Sequence, residues 1–118
     1  MRLIFTAVLM LTAFPVVATS TMCMFYAPPG APVGDLEFLG YEEHGGILIQ
    51  GKGGPRSLPA RSYTVLDLDQ RAKRIHLTYK NPGDPSLPPT FTLKGQDRNT
   101  RLTVQGKIYI GELACGCW

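Results

Sequence analysis

The sequence has few of the residues and patterns that identify several large classes of protein. It contains one Trp, two His and three Cys among 118 residues, and only 18% of its residues are charged. Beyond residue 18, no stretch of about ten residues has a helical hydrophobic period free of Gly and Pro, which excludes a coiled coil. With 44% hydrophobic residues, the chain is too apolar to be disordered throughout. The length predicts one compact domain.

Recognisable catalytic motifs are also missing. The chain has no G-x-S-x-G, no H-E-x-x-H, no phosphate-binding loop followed by a helix and no dinucleotide fingerprint. Of the two histidines, His44 lies in a Gly-rich turn beside two glutamates, and His76 lies on the polar face of a strand. Asp67 and Asp69 are most simply exposed side chains near a turn. We therefore predict that the protein is not an enzyme and holds no cofactor.

The first 18 residues have the layout of a secretory signal peptide. Arg2 supplies a basic start, the run from Leu3 to Val17 is almost wholly apolar, and the small residue Ala18 follows. The apolar run has 15 residues, which is short of the about 20 that span a bilayer. We predict cleavage after Ala18, with cleavage after Ser20 as the alternative. The mature chain is then secreted or periplasmic and has no transmembrane span.

The rest of the chain predicts short strands separated by turns. Residues 19–34 contain three prolines, which remove amide donors, so we expect an irregular lead-in there. Residues 35–118 form a single β domain in this interpretation, and the Gly-rich stretch 51–59 is a mobile loop. The clearest strand is 74–80, where polar and apolar residues alternate strictly. Seven to eight such strands predict a small antiparallel β-sandwich or β-barrel.

The three cysteines leave one over after pairing. We expect a disulfide from Cys23 to Cys115 or to Cys117, which closes a loop of about ninety residues. The spare thiol could join two copies in a disulfide-linked dimer. A second hypothesis treats Met22, Cys23, Cys115 and Cys117 as a soft ligand set suited to Cu(I). In a variant of it, the closely spaced pair Cys115 and Cys117 exchanges with other thiols.

Charge is distributed unevenly along the chain. Residues 19–50 hold no Lys or Arg, whereas residues 51–118 hold eleven of them and five acidic residues. If the strands pair as a meander, five basic side chains lie on neighbouring outward faces: Arg74, His76, Lys80, Lys94 and Arg101. We therefore expect a binding or inhibitor-type module for an anionic partner: a glycan, an envelope component or an acidic protein cleft. The loops 51–59 and 81–89 could contribute. Nucleic acid is not expected, because export separates the chain from it.

The layout is similar to that of the periplasmic lysozyme inhibitors, which are also small exported β-barrels, some with a disulfide joining their two ends. The characteristic internal motifs of those proteins are absent here. The resemblance therefore implies a layout and no site residues. A third hypothesis is a structural subunit of an envelope assembly, in which the spare cysteine would serve cross-linking.

Overall fold

The computed structural model describes residues 21–40, 44–51 and 53–116, and most of them belong to nine strands. The strands are β1 (Thr21–Tyr26), β2 (Leu36–Gly40), β3 (His44–Gly51), β4 (Gly54–Ser57), β5 (Tyr63–Asp69), β6 (Arg74–Tyr79), β7 (Phe91–Gln96), β8 (Asn99–Val104) and β9 (Lys107–Cys115). In these ranges the only helical element is a short 3-10 turn, Ala60–Ser62. The all-β prediction is confirmed. The predicted signal peptide, residues 1–18, lies outside the described residues.

The nine strands form one antiparallel sheet in the order β4-β3-β2-β1-β9-β8-β7-β6-β5. This order consists of two meanders, β1 to β4 and β5 to β9, in which each strand pairs with its neighbour in sequence. The pairing of β1 with β9 joins the two meanders. The sheet curls into a half-barrel. Its concave side holds the core, and its convex side faces solvent.

Alternation along the strands gives the sheet an apolar inner face and a polar outer face. In β6, for example, Ile75 and Leu77 are fully buried, whereas Arg74 and Thr78 are exposed. Both meanders contribute to a single core cluster. Its fully buried members include Phe25, Leu36, Phe38, Ile47, Ile75, Leu77, Phe91, Leu93, Leu102 and Leu113. Because this core fills the concave side, the polar residues of neighbouring strands line up on the convex side.

Two strands lie where the sequence predicted irregular chain, so the count is nine rather than seven to eight. β1 lies within the expected lead-in 19–34, and the first proline, Pro28, comes only after this strand ends. β4 lies within the expected loop 51–59. Neither strand has regular alternation, because β1 contains a bulge between Thr21 and Cys23 and β4 is a short, mostly exposed edge strand. Pairing with neighbours, rather than local sequence, stabilises both.

A bulge in β5 changes which of its side chains face outward. Sequence alternation predicts Leu66 and Leu68 on one face and Val65 and Asp67 on the other. In the structure the register shifts between Val65 and Asp67, and Asp67 lies opposite His76 of β6. Val65 and Leu68 both pack against the core, while Leu66 is 57% exposed. The predicted alternation was wrong because a bulge inserts one residue and reverses the phase.

The connection between β6 and β7 is a compact loop organised by Asn81. The side-chain amide of Asn81 donates to the carbonyl oxygens of Asp84 (3.0 Å) and Pro88 (2.8 Å), and its carbonyl accepts from the backbone amide of Asp84 (2.8 Å). Arg56 of β4 donates to the carbonyl and the hydroxyl of Ser86, each at 2.8 Å. The loop therefore bridges the second meander to the edge strand of the first.

Cys23 and Cys115 form a disulfide across the pairing of β1 with β9. The two residues are direct partners in the register, and their Cα atoms are 4.1 Å apart. Of the two pairings that the sequence left open, the structure contains the one with Cys115, and Cys117 lies outside the described residues. The covalent link thus coincides with the strand pairing that joins the two meanders.

Removing this disulfide should strongly destabilise the fold. The bridge joins residues 92 positions apart, and closing so long a loop contributes about 4–5 kcal/mol in the chain-entropy model. We expect Cys23→Ala/Cys115→Ala to lower the free energy of unfolding by that order and so to lower the urea midpoint of unfolding, whereas Cys117→Ala should leave the midpoint nearly unchanged. Equal midpoints for the two variants would contradict the assigned pairing.

Gly111 allows β1 and β9 to approach each other closely. It lies where β9 passes from its partner β8 to its partner β1. A Cβ atom on Gly111 would lie 2.4 Å from the carbonyl oxygen of Tyr26 and 2.7 Å from the ring of Phe25. Both distances are below van der Waals contact, so any side chain here forces the two strands apart.

Gly111→Ala should therefore lower the free energy of unfolding by about 1–3 kcal/mol, the usual cost of overpacking a well-packed site. Gly53→Ala is the matched control, because a Cβ atom at Gly53 meets nothing within 4 Å. Thermal unfolding followed by circular dichroism measures both. A smaller loss for Gly111→Ala than for Gly53→Ala would contradict the close approach.

Candidate anion-binding face

Three basic side chains form a row across neighbouring strands of the outer face. His76 of β6 lies opposite Lys94 of β7, and Lys94 lies opposite Arg101 of β8. Neighbouring strands are about 4.8 Å apart, so the three residues follow one line perpendicular to the strands. We call these three residues the basic row. The sequence predicted that these residues lie on neighbouring outward faces if the strands form a meander. That meander is present, and it brings these three predicted residues together.

An open groove of about 600 Å³ lies over the basic row. Arg74, Gln96 and Asn99 line it as further hydrogen-bond donors, and the acidic residues Asp67 and Asp97 line it as well. No aromatic side chain lines the groove among the residues that the structure describes. Its chemistry is that of a shallow polar surface with several cationic donors.

Arg74, a fourth predicted binding residue, is already engaged by carboxylates. Its Nε donates to Asp67 at 2.6 Å, and one of its terminal nitrogens lies 3.4 Å from Asp69. The β5 bulge makes this possible, because it turns Asp67 to the outer face. The charge of Arg74 is largely balanced within the protein, and its contribution to anion binding is correspondingly reduced.

Lys94 and Arg101 differ from Arg74 in having no acidic partner. Both side chains are exposed, and no carboxylate within residues 53–116 or the other described ranges forms an ion pair with either. They are nevertheless directly opposite each other on β7 and β8. Like charges in this position repel and destabilise a sheet. This pair is therefore the uncompensated positive charge of the groove.

Lys80, the fifth predicted residue, is not part of this groove. It follows the end of β6 and, with Arg61 and Ser62, borders a separate open groove of about 420 Å³. The alternation of β6, continued by one residue, places Lys80 on the same outer face as the basic row. Lys80 lies four residues from His76, the row's member on this strand. The structure thus brings four of the five predicted residues to one groove and separates the fifth.

A row of threonines runs parallel to the basic row, and the sequence analysis missed it. The registers align Thr64 with Thr78, Thr78 with Thr92, and Thr92 with Thr103. Each of the last three lies two residues from the basic-row member of its own strand. The sequence did contain a sign of this row, because a threonine two residues from a basic residue in the same strand lies on the same face. The row adds hydroxyl donors and acceptors beside the cations.

Among the described residues, no arrangement supports the soft-metal hypothesis while the disulfide is intact. Cys23 and Cys115 are bonded to each other, Met22 is buried in the core, and Cys117 lies outside the described residues. Among described side chains, no group of three or more His, Cys, Asp or Glu could hold a metal ion. Thiolate binding of Cu(I) by Cys23 or Cys115 would first require reduction of their disulfide.

The two acidic residues beside His44, Glu42 and Glu43, lie outside the described residues. Asp67 and Asp69, which the sequence indicated as exposed side chains near a turn, form ion pairs with Arg74. The described part of the chain supports no catalytic arrangement at either position.

Comparisons with known proteins identify no relatives of this chain: no protein-family model, curated protein or solved structure matches it. Within the described ranges, no helix has both the length and the apolar character required to cross a membrane. The interpretation of the site therefore depends on its own chemistry.

The carboxylate of Asp69 should make the fold sensitive to acid. The backbone amide of Ala72 donates to it at 2.9 Å, and this bond, together with the charge of Arg74, lowers the pKa of Asp69 below its ordinary value of 3.8. A lowered pKa in the folded state means that the charged form stabilises the protein. This stabilisation is complete above the ordinary value and is lost as the pH falls through the lower, folded value.

Asp69→Asn should therefore lower the melting temperature at neutral pH, and the difference from the unmodified protein should shrink below about pH 3.8. Asn can still accept the Ala72 hydrogen bond, so the comparison isolates the charge. Asp97→Asn removes the same charge from a carboxylate without a described ion pair, and it serves as the control. A difference for Asp69→Asn that stays constant across the pH range would contradict the argument.

Proposed function

We propose that this protein is a small β-domain that binds an anionic partner through the basic row and the groove above it. The observation that carries the proposal is the exposed pair Lys94 and Arg101, directly opposite each other and without acidic partners among the described residues. Nearby, Arg74 is balanced by two carboxylates. Of the three lysine and arginine side chains that line the groove, one is therefore balanced and two are in contact with solvent.

The electrostatics favour an anion between these two side chains. A like-charged cross-strand pair costs roughly 0.2–1 kcal/mol relative to a neutral pair. An anionic group bound between Lys94 and Arg101 would replace this repulsion with two attractions. The guanidinium of Arg101 can donate two parallel hydrogen bonds to a carboxylate, sulfate or phosphate, and Lys94 adds a point charge.

The shape of the groove favours an extended partner over a small enclosed ligand. Small-molecule sites are usually enclosed, concave pockets, whereas this groove is open to solvent and carries several charged and amide groups. An anionic glycan fits these properties, because its charged groups and hydroxyls could contact the basic row and the parallel threonines. The absence of aromatic side chains along the described lining removes the stacking surface that single-stranded nucleic acid uses.

Charge reversal in the basic row tests the proposal. We expect Arg101→Glu to weaken binding to immobilised heparin, a sulfated glycan, by about tenfold or more, since charge-assisted hydrogen bonds contribute about 1.5–3 kcal/mol each. The remaining binding should also depend less steeply on salt.

Lys107→Glu is the matched control. It makes the same change of charge on β9. Lys107 pairs with the buried Val104, however, so its position in the strand belongs to the opposite face of the sheet from Arg101. Equal loss of heparin binding in the two variants, with both folded by circular dichroism, would mean that net charge and not the basic row is responsible.

A further inference from the structure

β9 lies in the middle of the sheet, but its first part has a described strand on one side only. β8 pairs with β9 over Lys107–Gly111, but β1 pairs only with the following part, from Glu112 to Cys115. No other described strand lies beside Ile108, Tyr109 and Ile110. This segment therefore pairs with β8 on one side only. The following part of β9 pairs with β1 on the opposite side.

The hairpin geometry shows which backbone groups are free along this edge. The β8–β9 turn has positive φ at both central residues, Gln105 (52°) and Gly106 (82°), so it is a type I′ turn. Val104 and Lys107 are then a hydrogen-bonded pair, and such pairs alternate along the ladder. The amide and carbonyl groups of Ile108 and Ile110 consequently point away from β8, toward the open side.

The side chains of the same two residues are unusually exposed. Ile108 is 59% exposed and Ile110 is 49% exposed, and both lie on the outer face, opposite Thr103 and Arg101. Two large apolar side chains, and four backbone groups without a hydrogen-bond partner in the described part of the chain, thus occur together on three residues. Such an edge is a template for pairing with another strand.

The other two edges of the sheet carry features that oppose such pairing. β4 contains Pro55, and Arg56 ties it to the β6–β7 loop. β5 contains the bulge at Leu66, and a bulge interrupts the regular ladder. The segment from Ile108 to Ile110 has no proline, bulge or charged side chain.

We propose that a second copy of this chain pairs with this edge, antiparallel and about a two-fold axis at Tyr109. In this register Ile108 lies opposite the partner's Ile110, and Ile110 lies opposite the partner's Ile108. Both are hydrogen-bonded pairs, so all four open backbone groups of each copy find partners. Other self-pairing registers use fewer of these groups. The same register brings four isoleucine side chains together on the outer face, so the segment is self-complementary in both hydrogen bonds and apolar surface.

The expected dimer is weak. The pairing involves three residues of each copy and four isoleucines in total, and it buries less than the about 1,200–2,000 Å² of a stable interface, so dissociation should be visible on dilution. Sedimentation velocity from millimolar to micromolar protein, with Cys117→Ser throughout to exclude an intermolecular disulfide, should show a monomer–dimer equilibrium.

Variants at equally exposed residues identify the interface. We expect Ile108→Lys to weaken dimerisation by about tenfold or more, because it places a charge in the apolar cluster. Leu66→Lys is the control, since Leu66 is 57% exposed on the bulged edge and should leave the dimer intact. Ile110→Pro should also weaken the dimer, because it removes an amide that points to the open side and bonds nothing in β8. Circular dichroism checks that each variant is folded.

A protein that stays monomeric throughout the dilution series would overturn this proposal. So would a dimer that both Ile108→Lys and Ile110→Pro leave intact, or one that Leu66→Lys weakens as much as Ile108→Lys does. The heparin-binding test of the proposed function uses a different variant, Arg101→Glu in the basic row, so its failure would leave the self-pairing of β9 standing.

Discussion

The pairing of β1 with β9, clamped by Cys23–Cys115, is the contact on which the sheet depends. Every other strand pairing joins neighbours in sequence, so each meander is built from local hairpins. Without β1 beside β9, each meander would expose an apolar face that the curl now covers. The disulfide and Gly111 act on the same contact, since one prevents the two strands from separating and the other allows them to approach.

The proposed binding face follows from this curl. Because the concave side is filled by apolar side chains, the polar residues of β5 to β8 form regular rows on the convex side. Within those rows the charges are not evenly compensated. The β5 bulge turns Asp67 toward Arg74 and balances it, while Lys94 and Arg101 remain unbalanced. The one-residue insertion in β5 thus distinguishes Arg74, which has acidic partners, from Lys94 and Arg101, to which we assign the proposed binding.

The sequence was most informative where local and global patterns agree. The alternation of β6 predicted its buried and exposed faces. The alignment of His76 with its basic neighbours was expected on condition that the strands form a meander, and this meander is present. β1 and β4 were missed because one is bulged and the other is an exposed edge, so neither carries the two-residue period. The phase of β5 was missed because nothing local distinguishes a bulge at Leu66 from regular alternation. The choice of Cys115 over Cys117 depends on a long-range register that spacing alone does not encode.

The order of the strands along the chain has a consequence for how the protein is made. During synthesis β1 appears first and its partner β9 appears only after all the other described strands. In that interval β1 has an unpaired edge, Phe25 has no complete core around it, and Cys23 carries a thiol without its partner. Until β9 is made, the nascent chain is therefore vulnerable to aggregation, and Cys23 can form a disulfide only with a thiol of another molecule. A chaperone or thiol oxidoreductase would have its largest effect on yield during this period.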